Sequence, residues 1–115
     1  VIKKASQLKT EVFEKRLGGK GEIKVTHILE NEQFQGKGRM FAHQMLTPGS
    51  SLGYHQHKGD VEAYYILSGE GTVDDNGTKV LVGPGDAVFT ANGESHSIEN
   101  TGSTNLEFIA LILFI

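Results

Sequence analysis

Short apolar runs recur along this chain at intervals of roughly ten residues, separated by turn signals. No stretch carries the i, i+3, i+4 spacing of a long amphipathic helix. Ile23 to Leu29 is rich in β-branched residues, and Met40 to Leu46 follows a loop at Gly36-Lys37-Gly38. Pro48-Gly49-Ser50-Ser51 precedes a run that holds His55 and His57, and Ala63 to Leu67 closes at Gly69-Glu70-Gly71. Asp75-Asn76-Gly77 lies between Thr72-Val73 and Thr78 to Val82. Asn-Gly tolerates the positive φ of a tight hairpin turn, so these two runs are expected to pair. Gly83-Pro84-Gly85-Asp86 is a further turn, after which Ala87 to Thr90, Ser95 to Glu99 and Leu106 to Phe114 complete the set. This pattern predicts an all-β sandwich or barrel spanning residues 23–115 as one domain. Residues 1–22 read as an N-terminal arm, in which Lys9 to Leu17 is either a helical turn or extended.

Composition narrows the class. The chain has 115 residues, with 15 glycines against 2 prolines, an excess that fits tight turns between strands. Its formal charge is −3 and no run of Lys and Arg exceeds two residues, so the basic stripe of a nucleic-acid binder is missing. There is no cysteine, hence no disulfide framework, thiolate nucleophile or zinc ribbon. Val1 to Lys4 have no long apolar core behind them, so no signal peptide is expected. Leu106 to Ile115 is strongly apolar, but it contains Glu107 and falls well short of the roughly 20 residues of a membrane-spanning helix. A cytoplasmic protein with no membrane partner is expected.

The chemistry concentrates in two glycine-flanked segments. Gly49-x5-His55-x-His57-x4-Glu62-x6-Gly69 is followed by Gly85-x7-Gly93-x2-His96-x3-Asn100. Side chains alternate along a strand, so the H-x-H pair presents both imidazoles to one face. If the next strand returns antiparallel, Glu62 faces the same interior, and His96 arrives from a strand distant in sequence. Three imidazoles and a carboxylate make a first shell for one divalent transition metal. Mn, Fe, Co, Ni, Cu and Zn all suit this mixed nitrogen and oxygen set.

These segments resemble the two motifs of the cupin family. Gly49, His55, His57, Glu62 and Gly69 match the first motif at every position. Gly85, Gly93, His96 and Asn100 match the second, with Ala91 in place of its proline. The resemblance implies an antiparallel jelly-roll β-barrel of six to eight strands, with the metal held inside by His55, His57, Glu62 and His96. It also implies a homodimer in which edge strands or an N-terminal arm cross to the partner. The apolar Phe108 to Ile115 segment fits such an interface or simple core burial.

Two function classes follow. One is a metal-dependent enzyme of dioxygenase or isomerase/lyase type acting on a small molecule. The other is a non-catalytic small-molecule or sugar-binding cupin. A storage role is disfavoured because all four ligands are kept. Expected substrate-pocket residues are Tyr64, on the Glu62 face, and Phe41, His43 and Met45 on one face of the preceding strand. The opposite face offers Met40, Ala42, Gln44 and Leu46, and alternation alone does not choose between them. His43 is the candidate acid–base group. Oxalate decarboxylase-type cupins carry an arginine three residues before the first histidine, where this chain has Leu52. Arg16 and Arg39 are the only arginines, so a carboxylate clamp inside the barrel is not expected, nor is oxalate chemistry. Lys58, just past the H-x-H pair, could line the pocket or simply be solvated.

Overall fold

A computed structural model describes residues 1–115. It contains ten strands: β1 (Thr10–Glu14), β2 (Glu22–Leu29), β3 (Gly38–Leu46), β4 (Ser51–Gln56), β5 (Asp60–Ser68), β6 (Gly71–Asp75), β7 (Thr78–Val82), β8 (Ala87–Thr90), β9 (Ser95–Glu99) and β10 (Leu106–Phe114). The only helical segments are three short 3-10 turns. Two antiparallel sheets face each other, one in the order β1-β2-β3-β10-β5-β8 and the other β4-β9-β6-β7. This is the expected all-β jelly roll, with more strands than the six to eight implied by the family resemblance. The arm accounts for part of the difference, because Thr10–Glu14 is extended and pairs with β2 at the sheet edge.

The strands form where period-two burial demands them. In β3, Met40, Ala42, Gln44 and Leu46 are buried while Arg39, Phe41, His43 and Met45 are not. In β10, Leu106, Phe108, Ala110 and Ile112 point inward, and Leu113 and Phe114 are exposed, as is Ile115 just past the strand. The core lies between the sheets, where Ile66, Ile98, Leu46, Leu106 and Phe108 pack together at 0% exposure. The β6–β7 hairpin turns at Asn76 (φ 51°) and Gly77 (φ 96°), the double positive φ of a type I′ turn, as the Asn-Gly pair predicts.

β4 and β5 are not partners in a hairpin: β4 pairs with β9 in the smaller sheet, and β5 pairs with β10 and β8 in the larger one. The short link through Lys58 and Gly59 therefore crosses between the sheets. His55 and Glu62 converge because opposite walls face a common interior.

Two bulges re-aim side chains toward that interior. The register of β4 on β9 runs from Leu52↔Ile98 to His55↔His96, three residues against two, so the strand bulges at Gly53-Tyr54. Leu52 and His55 both turn inward as a result. In β3, Met40 pairs with Ile112 and Gly38 with Leu113, leaving Arg39 as the extra residue.

Candidate metal centre

The four expected ligands meet between the sheets. His55 comes from β4, His57 from the residue just past it, Glu62 from β5 and His96 from β9, and their ligating atoms all lie within 4.8 Å of one another. His57, Glu62 and His96 are buried, and His55 is half-buried. His57 extends the β4–β9 pairing beyond the strand end, since its N–H donates to Glu94 O (2.9 Å) and its carbonyl accepts from Gly93 N–H (2.7 Å).

Each imidazole is fixed from behind. His55 Nδ1 donates to Gly53 O (2.7 Å), and His57 Nδ1 donates to Asp60 Oδ1 (2.7 Å). His96 Nδ1 shares a hydrogen bond with Thr90 Oγ1 (2.7 Å). A carbonyl and a carboxylate only accept, so in the neutral imidazoles the Nδ1 atoms of His55 and His57 carry the protons and their Nε2 lone pairs face inward. There, His55 Nε2 and His57 Nε2 each lie 3.1 Å from His96 Nε2. Glu62 Oε1 is 3.0 Å from both His57 Nε2 and His96 Nε2.

Those spacings suit a single ion. Ligands about 2.1 Å from one ion are about 3.0 Å apart when they meet at right angles and about 3.4 Å apart at the tetrahedral angle. The 3.0 and 3.1 Å separations match the right-angled arrangement, in which four protein ligands leave further positions open. Converging lone pairs and a buried carboxylate, with donors spent on outer partners, call for a cation at their centre. The residues therefore fit the divalent transition metal that the sequence implies.

A proton can take the metal's place, because a doubly protonated imidazole also donates from Nε2 to Glu62. Burial pushes the Glu62 carboxyl up, but hydrogen bonds from His57 and His96 outweigh it and hold the group at about 2. The hydrogen bond to Glu62 raises His57 above its ordinary value, against the effect of burial. Burial lowers His55. The Tyr64 hydroxyl is pushed well up by burial and by the neighbouring Glu62 charge, so it stays protonated. Its ring stacks on His96 (5.1 Å, 13°) and tilts against Phe108 (4.8 Å), joining the site to the core.

A cavity of about 330 Å³ opens onto the cluster. Tyr64 lines it, as expected, but Phe41, His43 and Met45 do not, and that expectation is corrected. They lie on the outer face of β3, where His43 pairs with Glu107 (3.0 Å), and Met40 and Gln44 line the cavity instead. Both faces of β3 are largely apolar, so composition could not choose between them. Gln44 Nε2 faces the Met40 sulfur (3.1 Å), and its Oε1 is buried without a partner.

The charged lining overturns a second expectation. Arg16, Arg39 and Lys58 all border the cavity, so it is well supplied with cations. Arg39 Nε donates to Asp60 Oδ2 (2.9 Å), and Asp60 in turn anchors His57, linking the rim to the floor. Strand alternation assigns Arg39 to the outer face, and the bulge brings it round. Asp60 was open to detection as a carboxylate inside the Lys58-Gly59-Asp60 turn, three residues from His57. Arg16 carries no local signal, because a loop from the arm delivers it across β4.

Comparison with known proteins places this geometry. The model of the cupin domain matches residues 42–112. An oxalate-binding protein of Thermotoga maritima is 48% identical over 115 residues, covering 100% of this chain and 95% of that protein. The crystal structure of a predicted oxalate decarboxylase from Thermotoga maritima, also 48% identical, superposes with a TM-score of 0.95 over 100% of both chains. The polyketide cyclase RemF from Streptomyces resistomycificus shares the fold at a TM-score of 0.76 and 20% identity, covering 99% of this chain and 80% of that one. With a jelly roll, both sequence motifs and a full-length relative at this identity, the chain belongs to the cupin family.

Proposed function

We propose that this chain binds one divalent transition metal through His55, His57, Glu62 and His96, and captures a small carboxylate anion at that metal's open positions. Oxalate is the first candidate. The observation that carries this reading is the convergence of Arg16, Arg39 and Lys58 on the cavity that holds the four-ligand cluster. Cationic side chains beside an open metal form a natural site for a carboxylate, which can ligate the ion and accept hydrogen bonds from guanidinium groups. The relative named as an oxalate-binding protein supports the same ligand class.

Binding without turnover is favoured over catalysis by what the cavity lacks. His43 and His27, the two histidines outside the cluster, pair with Glu107 and Glu11 away from the cavity. Asp60 is committed to His57 and Arg39, and the Tyr64 hydroxyl is held in its protonated form. No free group suited to shuttling a proton near neutral pH borders the site.

The chain is also inferred to form a homodimer through the outer face of the larger sheet, where Tyr65, Leu67, Phe89 and Leu113 are exposed. No helix is long and apolar enough to cross a membrane. A cytoplasmic location remains part of this reading. The test is calorimetric titration of oxalate into metal-stripped and Mn(II)-loaded protein. One oxalate per loaded chain and none on stripped protein is the expected result, and equal binding to both forms would refute the reading.

A further inference from the structure

The loop between β1 and β2, residues 15–21, is held against β4 by backbone contacts that leave no room for side chains. A Cβ on Gly53 would overlap the Leu17 carbonyl oxygen, and one on Gly19 would overlap the Ser51 carbonyl oxygen. Gly19 sits at φ −77° and ψ −165°, a conformation open to any residue, so space alone requires glycine there. Ser51 N–H donates to Lys20 O (2.8 Å), and Lys20 N–H donates to Ser51 Oγ (3.0 Å), closing the dock from both segments. Within the loop, Lys15 (φ 49°) and Leu17 (φ 56°) adopt the left-handed conformation that non-glycine residues avoid. Such strain persists where surrounding contacts over-determine it.

What this loop brings to the cavity is Arg16. Its guanidinium lies 3.8 Å from the centre of the Phe13 ring and pairs with no carboxylate. Arg39, by contrast, has its Nε engaged by buried Asp60. Of the two arginines on the cavity wall, Arg16 has the whole fork available for an incoming anion.

We infer that Arg16 is the specificity-determining residue of the anion site, and that the Gly19–Gly53 dock is the device that positions it. The inference rests on the carboxylate reading above and narrows the ligand class to a small dicarboxylate. A metal held by the four ligands would take part of such a ligand, which would leave Arg16, on the wall of the same cavity, to read the rest of it.

The experiment is a double-mutant cycle in Mn(II)-loaded protein. Oxalate and oxamate, which replaces one carboxylate with a neutral amide, are titrated into wild type, Arg16→Gln, Gly19→Ala and the double variant. Wild type is expected to prefer oxalate by about tenfold or more, and Arg16→Gln to reduce that preference to about threefold or less. Manganese affinity should stay within about twofold of wild type in both single variants, because neither position is a ligand. Gly19→Ala should weaken oxalate binding, and the double variant should bind no more weakly than Arg16→Gln alone. An unchanged oxalate preference in Arg16→Gln would overturn the inference while leaving the carboxylate reading intact. Additive losses in the double variant would overturn the positioning role of the dock. If Gly19→Ala does not fold, Arg16→Gln decides the specificity role alone, being a substitution on a partly exposed loop. Absence of oxalate binding to loaded wild type would remove the carboxylate reading and this inference with it.

Discussion

At the floor of the cavity, His57, Glu62 and His96 are at most 4% exposed, and all three imidazoles are held from behind by an outer hydrogen bond. At the rim, the side chain of Arg39 is 48% exposed, Lys58 is exposed, and Arg16 rides on a loop with two non-glycine residues in the left-handed region. Each of those two residues costs on the order of 1–3 kcal/mol in backbone strain. The floor is preorganised for one geometry by low exposure and by the outer hydrogen bonds that hold its imidazoles. The rim depends on long side chains and on docking between distant segments. The contrast implies that the floor decides whether a metal binds, and the rim decides which anion follows it.

The largest effect expected from breaking the floor is that of His96→Ala. It removes the nitrogen central to the cluster, 3.1 Å from both other Nε2 atoms, and metal affinity should fall by more than about 100-fold. Competition against a chromophoric chelator measures this, and a loss under tenfold would mean that the ligand set is wrong. Next comes Asp60→Asn, which keeps the shape but weakens the anchor on His57 Nδ1. A loss of about 10- to 100-fold in metal affinity is expected in the same assay. An effect confined to anion binding would instead place Asp60 with the rim.

Acidity should act on the floor in a defined direction. Metal binding needs deprotonated ligands, and the Glu62 contact raises His57 above its ordinary value. A proton therefore competes with the ion on the acid side of that raised value, and metal affinity should fall as pH drops from about 8 to 6, by at most about tenfold per unit for one displaced proton. Glu62, held at about 2, stays ionised throughout and adds no slope in that window. A flat profile would contradict the assigned linkage. The smallest effect is that of Lys58→Ala at the exposed rim. Metal affinity should not change, and oxalate affinity should drop only a few-fold, less at high salt.

The same contrast explains what could be read from the sequence. The strand pattern, the Asn76-Gly77 turn and the ligand spacing are local properties, encoded over a few residues each, and they led directly to the fold and to the cluster. The rim is not local. Arg39 required a bulge that breaks strand alternation, and Arg16 required two glycines far apart in sequence, Gly19 and Gly53, to bring backbones together. Alternation left the two faces of β3 open, because the outer face, with Phe41, His43 and Met45, is nearly as apolar as the inner one. Loss of the expected arginine at Leu52 pointed away from carboxylates, yet the fold supplies that charge from elsewhere in the chain.

The central claim is that His55, His57, Glu62 and His96 hold one divalent metal. It is tested most directly by counting metal per chain, using mass spectrometry after reconstitution with Mn(II) and exhaustive dialysis, in wild type and in His57→Ala. One ion per wild-type chain and essentially none in His57→Ala is the predicted result. Equal metal content in the two proteins would contradict it.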